Sequence, residues 1–339
     1  MGTREDTAAA ISEFWKFWTS AHVRIARAIH QGGMHADDVE AMNARVGAIA
    51  PDLDWELGPG HRSQHHLAVT GRGDPVLRVM TARWLAAAPE PTEVWEYHAS
   101  RQPARGSGLC LQIGGHSVAL DELQAAVEVD ASREMLELLV HHPVFAKIDD
   151  EGLHHRIAIL GLENLIGEDA LVRWVCAVDV AVDRPATAAP CSALRERIDA
   201  LAASATGDRW VVLQGERDGK PIFVTCNRAL KRIDHPTLDV HVEIALPIAD
   251  GTDAGLTTNA EAEILNTIED DLLGELGPSA VLIGRETWNG LRIVHLHTDG
   301  SGDAGRKLDA WRARHSKSYE VRITQEHDPT WEVSAARWF

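Results

Sequence analysis

Between Val240 and Gln325 the hydropathy pattern runs strand, helix, strand, strand, helix, strand, and few folds accept that order. Val240, Val242, Ile244 and Leu246 alternate with His241, Glu243 and Ala245, the period of two that gives a strand one buried face. Thr258 and Glu261 have capping-box spacing ahead of an apolar row, Ala262, Leu265, Ile268, Leu272 and Leu276, which Gly277 and Pro278 stop. Strand patterns at 280–284 and 291–298 flank Asn289-Gly290, a pair suited to a two-residue hairpin. A helix over 303–315 and a strand over 319–324 complete the series. The order predicts a ferredoxin-like βαββαβ unit: an antiparallel sheet with its helices on one face. A helix capped by Ser192 and a hairpin of 209–214 with 221–227, looped at 215–219, precede it.

The chain has 339 residues, more than one core ordinarily accommodates, and two α+β domains are expected. The stretch 183–190, DRPATAAP, sets two prolines among small residues, which oppose both helix and ladder pairing. The expected division is a domain over 1–185, a linker over 186–191 and a second domain over 192–339. In the first, Phe14, Trp15, Trp18, His22, Ile25 and Ile29 recur at spacings of three and four on a helix over 11–29, an aromatic stripe that faces a core. Asp37 with Glu40 starts a second helix. Strands at 53–57 and 66–70 form a hairpin, Asp74-Pro75 opens a helix to Leu85, and a strand follows at 94–100. Beyond a glycine-rich turn, 135–140 reads as a strand, 153–165 as a helix and the apolar run 171–180 as a strand.

Charge and cysteine usage narrow the function classes. With 33 basic against 51 acidic residues the net charge is -18, acidic on both sides of Pro190. Such a surface repels phosphate backbones and anionic membranes, so the expected partner is a basic protein, with no nucleic acid and no membrane. Arg4, Glu5 and Asp6 stand where a signal peptide would be basic and then apolar, and no window approaches a bilayer span, which predicts a cytoplasmic protein. Gly2 is followed by acidic residues where a myristoylation signal places Ser or Thr. Cys110, Cys176, Cys191 and Cys226 lack the paired spacing of a zinc ribbon or redox motif.

Gly219-Lys220-Pro221, Arg232-Ile233-Asp234, the helix over 263–276, Asn289-Gly290-Leu291-Arg292 and Asp328-Pro329-Thr330-Trp331 together resemble the bacterial domain-of-unknown-function 695 family. The N-terminal Phe14-Trp15-Lys16-Phe17-Trp18 is similar to the aromatic helix with which its members often begin. The similarity covers most of 192–334 and, more loosely, the first hundred residues. Its motifs are turns and packing positions. The resemblance implies an α+β fold and a bacterial cytoplasmic setting, and it transfers no activity and no functional residue.

One constellation suits metal chemistry. His295, His297 and Asp299 are spaced by two at a strand end, and that strand neighbours the one bearing His241 and Glu243. Imidazoles and a carboxylate on adjacent strands can hold zinc with a position left open. Leu291 and Ile293 share the parity of the two histidines, however, and favour a packed sheet face with no cofactor; the set His241, Glu243, His295 and His297 is the metal alternative to that reading. The adjacent pairs at 65–66, 141–142 and 154–155 diverge, and His61 with His65 lacks the glutamate of a zincin helix. Glu269, Asp270, Asp271 and Glu275 read as an exposed acidic helix face. Gly71-Arg72-Gly73 and Gly106-Ser107-Gly108 lack the lysine and serine of a phosphate loop, and no serine-hydrolase elbow occurs. The functional expectation is a binding or regulatory protein, immunity-like, that docks a basic partner; the alternatives are a metal-dependent enzyme on the C-terminal sheet and an oligomeric scaffold.

Overall fold

The structure is a computed structural model that describes residues 4–106, 108–205, 207–317 and 319–338; Gly2 and Ser107 lie outside them. The chain is mixed α+β and divides into two compact units, Met1–Ala205 and Thr206–Phe339.

The first unit begins with α1 (Arg4–His30) and α2 (Ala36–Ile49). The strands β1 (Asp54–Pro59) and β2 (His65–Thr70) follow, then α3 (Pro75–Ala86) and β3 (Trp95–His98). The hairpin is antiparallel, β3 adds parallel to β2, and Asp74 caps α3 by accepting from the Val76 and Leu77 amides. The aromatic stripe of α1 is core: Phe14, Trp15 and Trp18 are buried with Trp84, Trp95 and Tyr97. Trp15 Nε1 donates to the Trp84 carbonyl, and Trp18 Nε1 to the Tyr97 hydroxyl, each at 3.0 Å. The start of α2 departs from expectation, because His35 occupies the N-cap without a side-chain bond and Asp37 falls in the first turn.

The remainder of this unit comprises β4 (Cys110–Ile113), β5 (His116–Ala119), β6 (Gln124–Asp130), β7 (Met135–His141), α4 (Glu151–Ile166), α5 (Glu168–Trp174), β8 (Val175–Val180), β9 (Ala189–Pro190) and α6 (Leu194–Ser204). β4 and β5 form a hairpin, and the others form a sheet in the order β8-β7-β6-β9. The run 171–180 is therefore part helix and part strand, not one strand; Gly167, at φ 88°, turns the chain from α4 into α5. The segment 186–191 is not a free linker. Ala189 and Pro190 pair with Ala125 and Gln124, and Cys191, Leu194 and Ile198 join the core of this sheet, so the compact unit ends after Ala205. Ser192 lies in a short 3₁₀ turn, and Ala193 takes the N-cap of α6 without a side-chain bond.

Within this unit Glu96 is 6% exposed and fully engaged. One oxygen accepts from the His61 amide at 2.6 Å, and the other from the amides of Arg62 and Ser63 at 2.8 and 3.0 Å. Burial pushes its carboxyl up, but the three amides and His98 outweigh burial and bring it down to about 2. A folded value below the unfolded one contributes stability above about pH 4.5 that is lost as the pH falls toward 2. Glu96→Gln is expected to cost roughly 2–3 kcal/mol at neutral pH and to flatten the acid limb below pH 4.5. Urea unfolding across a pH series reads both, and an unchanged acid limb would refute the assignment.

The second unit contains β10 (Trp210–Arg217), β11 (Lys220–Asn227), β12 (Val240–Pro247), α7 (Asn259–Leu276), β13 (Ala280–Trp288), β14 (Leu291–Thr298), α8 (Ala304–His315), β15 (Arg322–His327) and α9 (Glu332–Trp338). One six-stranded sheet runs β10-β11-β13-β14-β12-β15, and every neighbouring pair is antiparallel. The expected hairpin loop at 215–219 is tighter than read: the strands extend to Arg217 and Lys220, leaving Asp218 and Gly219, both at positive φ. The last strand lies at 322–327, three residues beyond the expected 319–324.

Val242, Ile244, Leu246, Val294 and Leu296 pack against Leu265, Leu272 and Leu276 of α7 and Leu308 and Trp311 of α8, so both helices cover one sheet face. Each fully buried Leu or Val contributes about 1.5–3 kcal/mol to that face. The Thr258 hydroxyl caps α7 by accepting from the Glu261 amide. Glu261 does not return the bond, because its carboxylate accepts from the Ala249 amide instead. Among the described residues no helix is long and apolar enough to cross a membrane.

Candidate metal centre

The sheet face opposite α7 and α8 carries the histidines. Antiparallel register sets His241 opposite His297 and Glu243 opposite His295, so all four sequence candidates share that face. They separate into two groups within it.

His241, Glu243 and His295 converge: one ligand atom from each lies within 4.8 Å of the others. His295 Nδ1 stands 3.3 Å from His241 Nε2 and 3.8 Å from Glu243 Oε1. A tetrahedral ion with bonds of about 2.0–2.1 Å sets its ligands roughly 3.3–3.4 Å apart, close to the first of these two edges and within about half an ångström of the second. His295 is 0% and His241 2% exposed, whereas Glu243 is half-buried and gives the group its side toward solvent. On its other edge His295 Nε2 faces Glu286 Oε1 at 3.8 Å, and Glu286 is ion-paired with Arg217 at 3.0 Å. A buried carboxylate on the far nitrogen is the partner that orients a ligating imidazole.

His297 belongs elsewhere. Its ring stacks on Trp331 with centroids 4.2 Å apart, and Nε2 lies 3.1 Å from the Ser334 hydroxyl and 3.8 Å from Asp328 Oδ2. Burial, then the neighbouring His241, pushes its pKa down to about 3, so it is a neutral packed ring. The segment responsible is the Asp328-Pro329-Thr330-Trp331 motif. The Asp328 carboxylate accepts from the Glu332 and Val333 amides at the start of α9, and Trp331 Nε1 donates to the Leu238 carbonyl. Asp299, the third residue of the strand-end spacing, accepts from the Ser301 amide in the turn before α8.

Sequence parity brought the four candidates to one face and missed the residues that sort them. Glu286 escaped because the strand expected at 280–284 runs on to Trp288, and because β13 carries an extra residue between Leu282 and Gly284 that changes its side of the sheet. The acidic helix face of α7 also needs correction at one position: Glu269 is 4% exposed and ion-paired with Arg285 at 3.1 Å, while Asp271 and Glu275 meet Arg314. Of the adjacent histidine pairs, His142 Nε2 and His154 Nε2 lie near 3 Å from backbone carbonyls, a packing role. A second cluster of metal-binding residue types in the first unit, Asp130, Glu137 and Cys176, has its Asp130 committed to the Ser132 and Arg133 amides of a turn. The four cysteines are free, and burial raises Cys191 to about 12, far from a thiolate nucleophile.

Fold and site thus define an antiparallel α+β unit whose sheet face opposite α7 and α8 gathers buried histidines and carboxylates. Residues 208–334 match the sequence model of a family of unknown function, DUF695, the family that the turns and packing positions of this region resemble. No curated protein and no solved structure matches the chain.

Proposed function

We propose that the second unit is a ferredoxin-like metal-binding domain in which His241, Glu243 and His295 hold a divalent transition ion, zinc being the first candidate. The strand order β13-β14-β12-β15 with α7 and α8 on one face supports the architecture. The convergence of two buried imidazoles and a half-exposed carboxylate, with Glu286 behind His295, carries the site. Three protein ligands leave a zinc ion one open position, at which it acts as a Lewis acid, and this is the basis of a metal-dependent enzyme. The rival is a hydrogen bond between the two imidazoles, for which 3.3 Å is long but permissible.

Elemental analysis after purification without chelators decides between them. One equivalent of zinc, retained in His297→Gln and lost in His241→Ala and His295→Ala variants that keep wild-type circular dichroism, is the expected result. Cobalt substitution should then give the intense visible bands of a tetrahedral site. Wild-type protein that holds no stoichiometric ion after incubation with zinc, cobalt or manganese would end the proposal.

The net charge of -18 favours a second reading, in which the chain docks a basic protein in a bacterial cytoplasm. Its association would weaken steeply with added salt, and a partner held equally in low and high salt would contradict it.

A further inference from the structure

We propose that a cleft in the first unit, bounded by Arg62, Arg101 and Arg195, binds a small phosphate monoester. The cleft measures about 660 Å³, within the range of roughly 300–1,000 Å³ typical of small-molecule sites. In a chain so acidic the clustering of basic groups here is local: His61 and His98 share the lining, and Arg105 lies 2.8 Å from His61 Nδ1.

The carboxylates nearby are each held by other groups and leave Arg62 and Arg195 unengaged; buried Glu168, beside Arg101, accepts from the Thr70 hydroxyl and from the Gly73 and Arg101 amides. Glu96 is sealed under the loop 61–63 by the three amides described above and by His98 Nε2 at 3.1 Å. Asp169 is committed to Arg78, which grips it through Nε and Nη2 at 3.2 and 3.0 Å. Arg101 meets Glu56 through Nε and Glu163 through Nη1, and its Nη2 makes no hydrogen bond among the described residues. The side chains of Arg62 and Arg195, both exposed, likewise form no ion pair or hydrogen bond among the described residues. Two uncommitted guanidinium groups and a third with a spare nitrogen suit a dianion that accepts forked bonds, which describes a phosphate monoester better than a carboxylate. Pro91, Pro103, Ile166 and Ala170 supply an apolar wall for the carbon skeleton. A long phosphate backbone would still be repelled by the chain as a whole, whereas a small ester meets only the local charge.

Isothermal titration of the full chain with adenosine monophosphate and with inorganic phosphate tests this, with adenosine and benzoate as controls. The expected result is saturable one-to-one binding of both phosphates, tighter for the ester, weakened about tenfold or more in the Arg62→Ala/Arg195→Ala variant and unchanged in Arg306→Ala. Both arginines of the double variant are exposed, so its fold should persist, which circular dichroism verifies. Absence of saturable phosphate binding, equal binding of benzoate, or unchanged affinity in the double variant would overturn the proposal. None of these outcomes depends on an ion at His295.

Discussion

Gly284→Val is expected to prevent the second unit from folding. A Cβ at this position would stand 2.4 Å from the Thr225 carbonyl oxygen and 3.0 Å from the Cys226 Cα, both backbone atoms of β11 that no side-chain rotation can move. Gly284 pairs with Cys226 on one side and His295 on the other, so relief of the clash requires β11 to leave β13 in the middle of the sheet. Gly274→Ala is the matched control. Its Cβ would meet nothing within 4 Å on the exposed side of α7, and helix propensity favours alanine by about 0.8–1 kcal/mol. Circular dichroism and thermal unfolding should therefore move in opposite directions for the two glycines; a cooperative, wild-type transition in Gly284→Val would mean that the β11–β13 pairing is wrong.

Trp18→Ala should be the most damaging truncation in the first unit. Trp18 is 1% exposed, meets Trp95 edge to face at 4.8 Å and donates its indole N–H to Tyr97. Removing a buried Trp typically costs about 3–5 kcal/mol, and here it also strands a buried hydroxyl. Against a total stability of roughly 5–15 kcal/mol, that loss lowers the melting temperature by many degrees or abolishes the transition. Val23→Ala, on the exposed side of the same helix, should stay within about 0.5 kcal/mol of wild type. Equal effects from the two would show that the aromatic stripe does not face the core.

What could be read from sequence followed how local its cause is. The α1 stripe, the Asp74 cap and the Asn289-Gly290 turn are each dictated within a few residues, and each is found where expected. The strands β4, β5 and β6 were missed because 110–130 offers weak alternation, and their pairing is decided by partners such as β7. The run 171–180 misled because an unbroken apolar stretch has no period to separate helix from strand. Pro190 looked like a linker residue yet lies in the edge strand β9, where a missing N–H is tolerated. At the candidate site, alternation placed His241, Glu243, His295 and His297 on one face; the sorting of His297 away from the others depends on Trp331 and Ser334, which no local pattern connects to it.

The irregularity in β13 decides which charge each side of the sheet receives. With Ile283 inserted, Gly284 lies opposite His295, Arg285 opposite Val294 and Glu286 opposite Ile293. Arg285 consequently reaches Glu269 beneath the helices, and Glu286 reaches His295. A strand one residue shorter would exchange the two, setting a cation beside the imidazoles and an anion against Glu269. The insertion therefore works as a polarity inverter: a single residue, itself apolar and wholly buried, decides which face receives the cation of Arg285 and which the anion of Glu286.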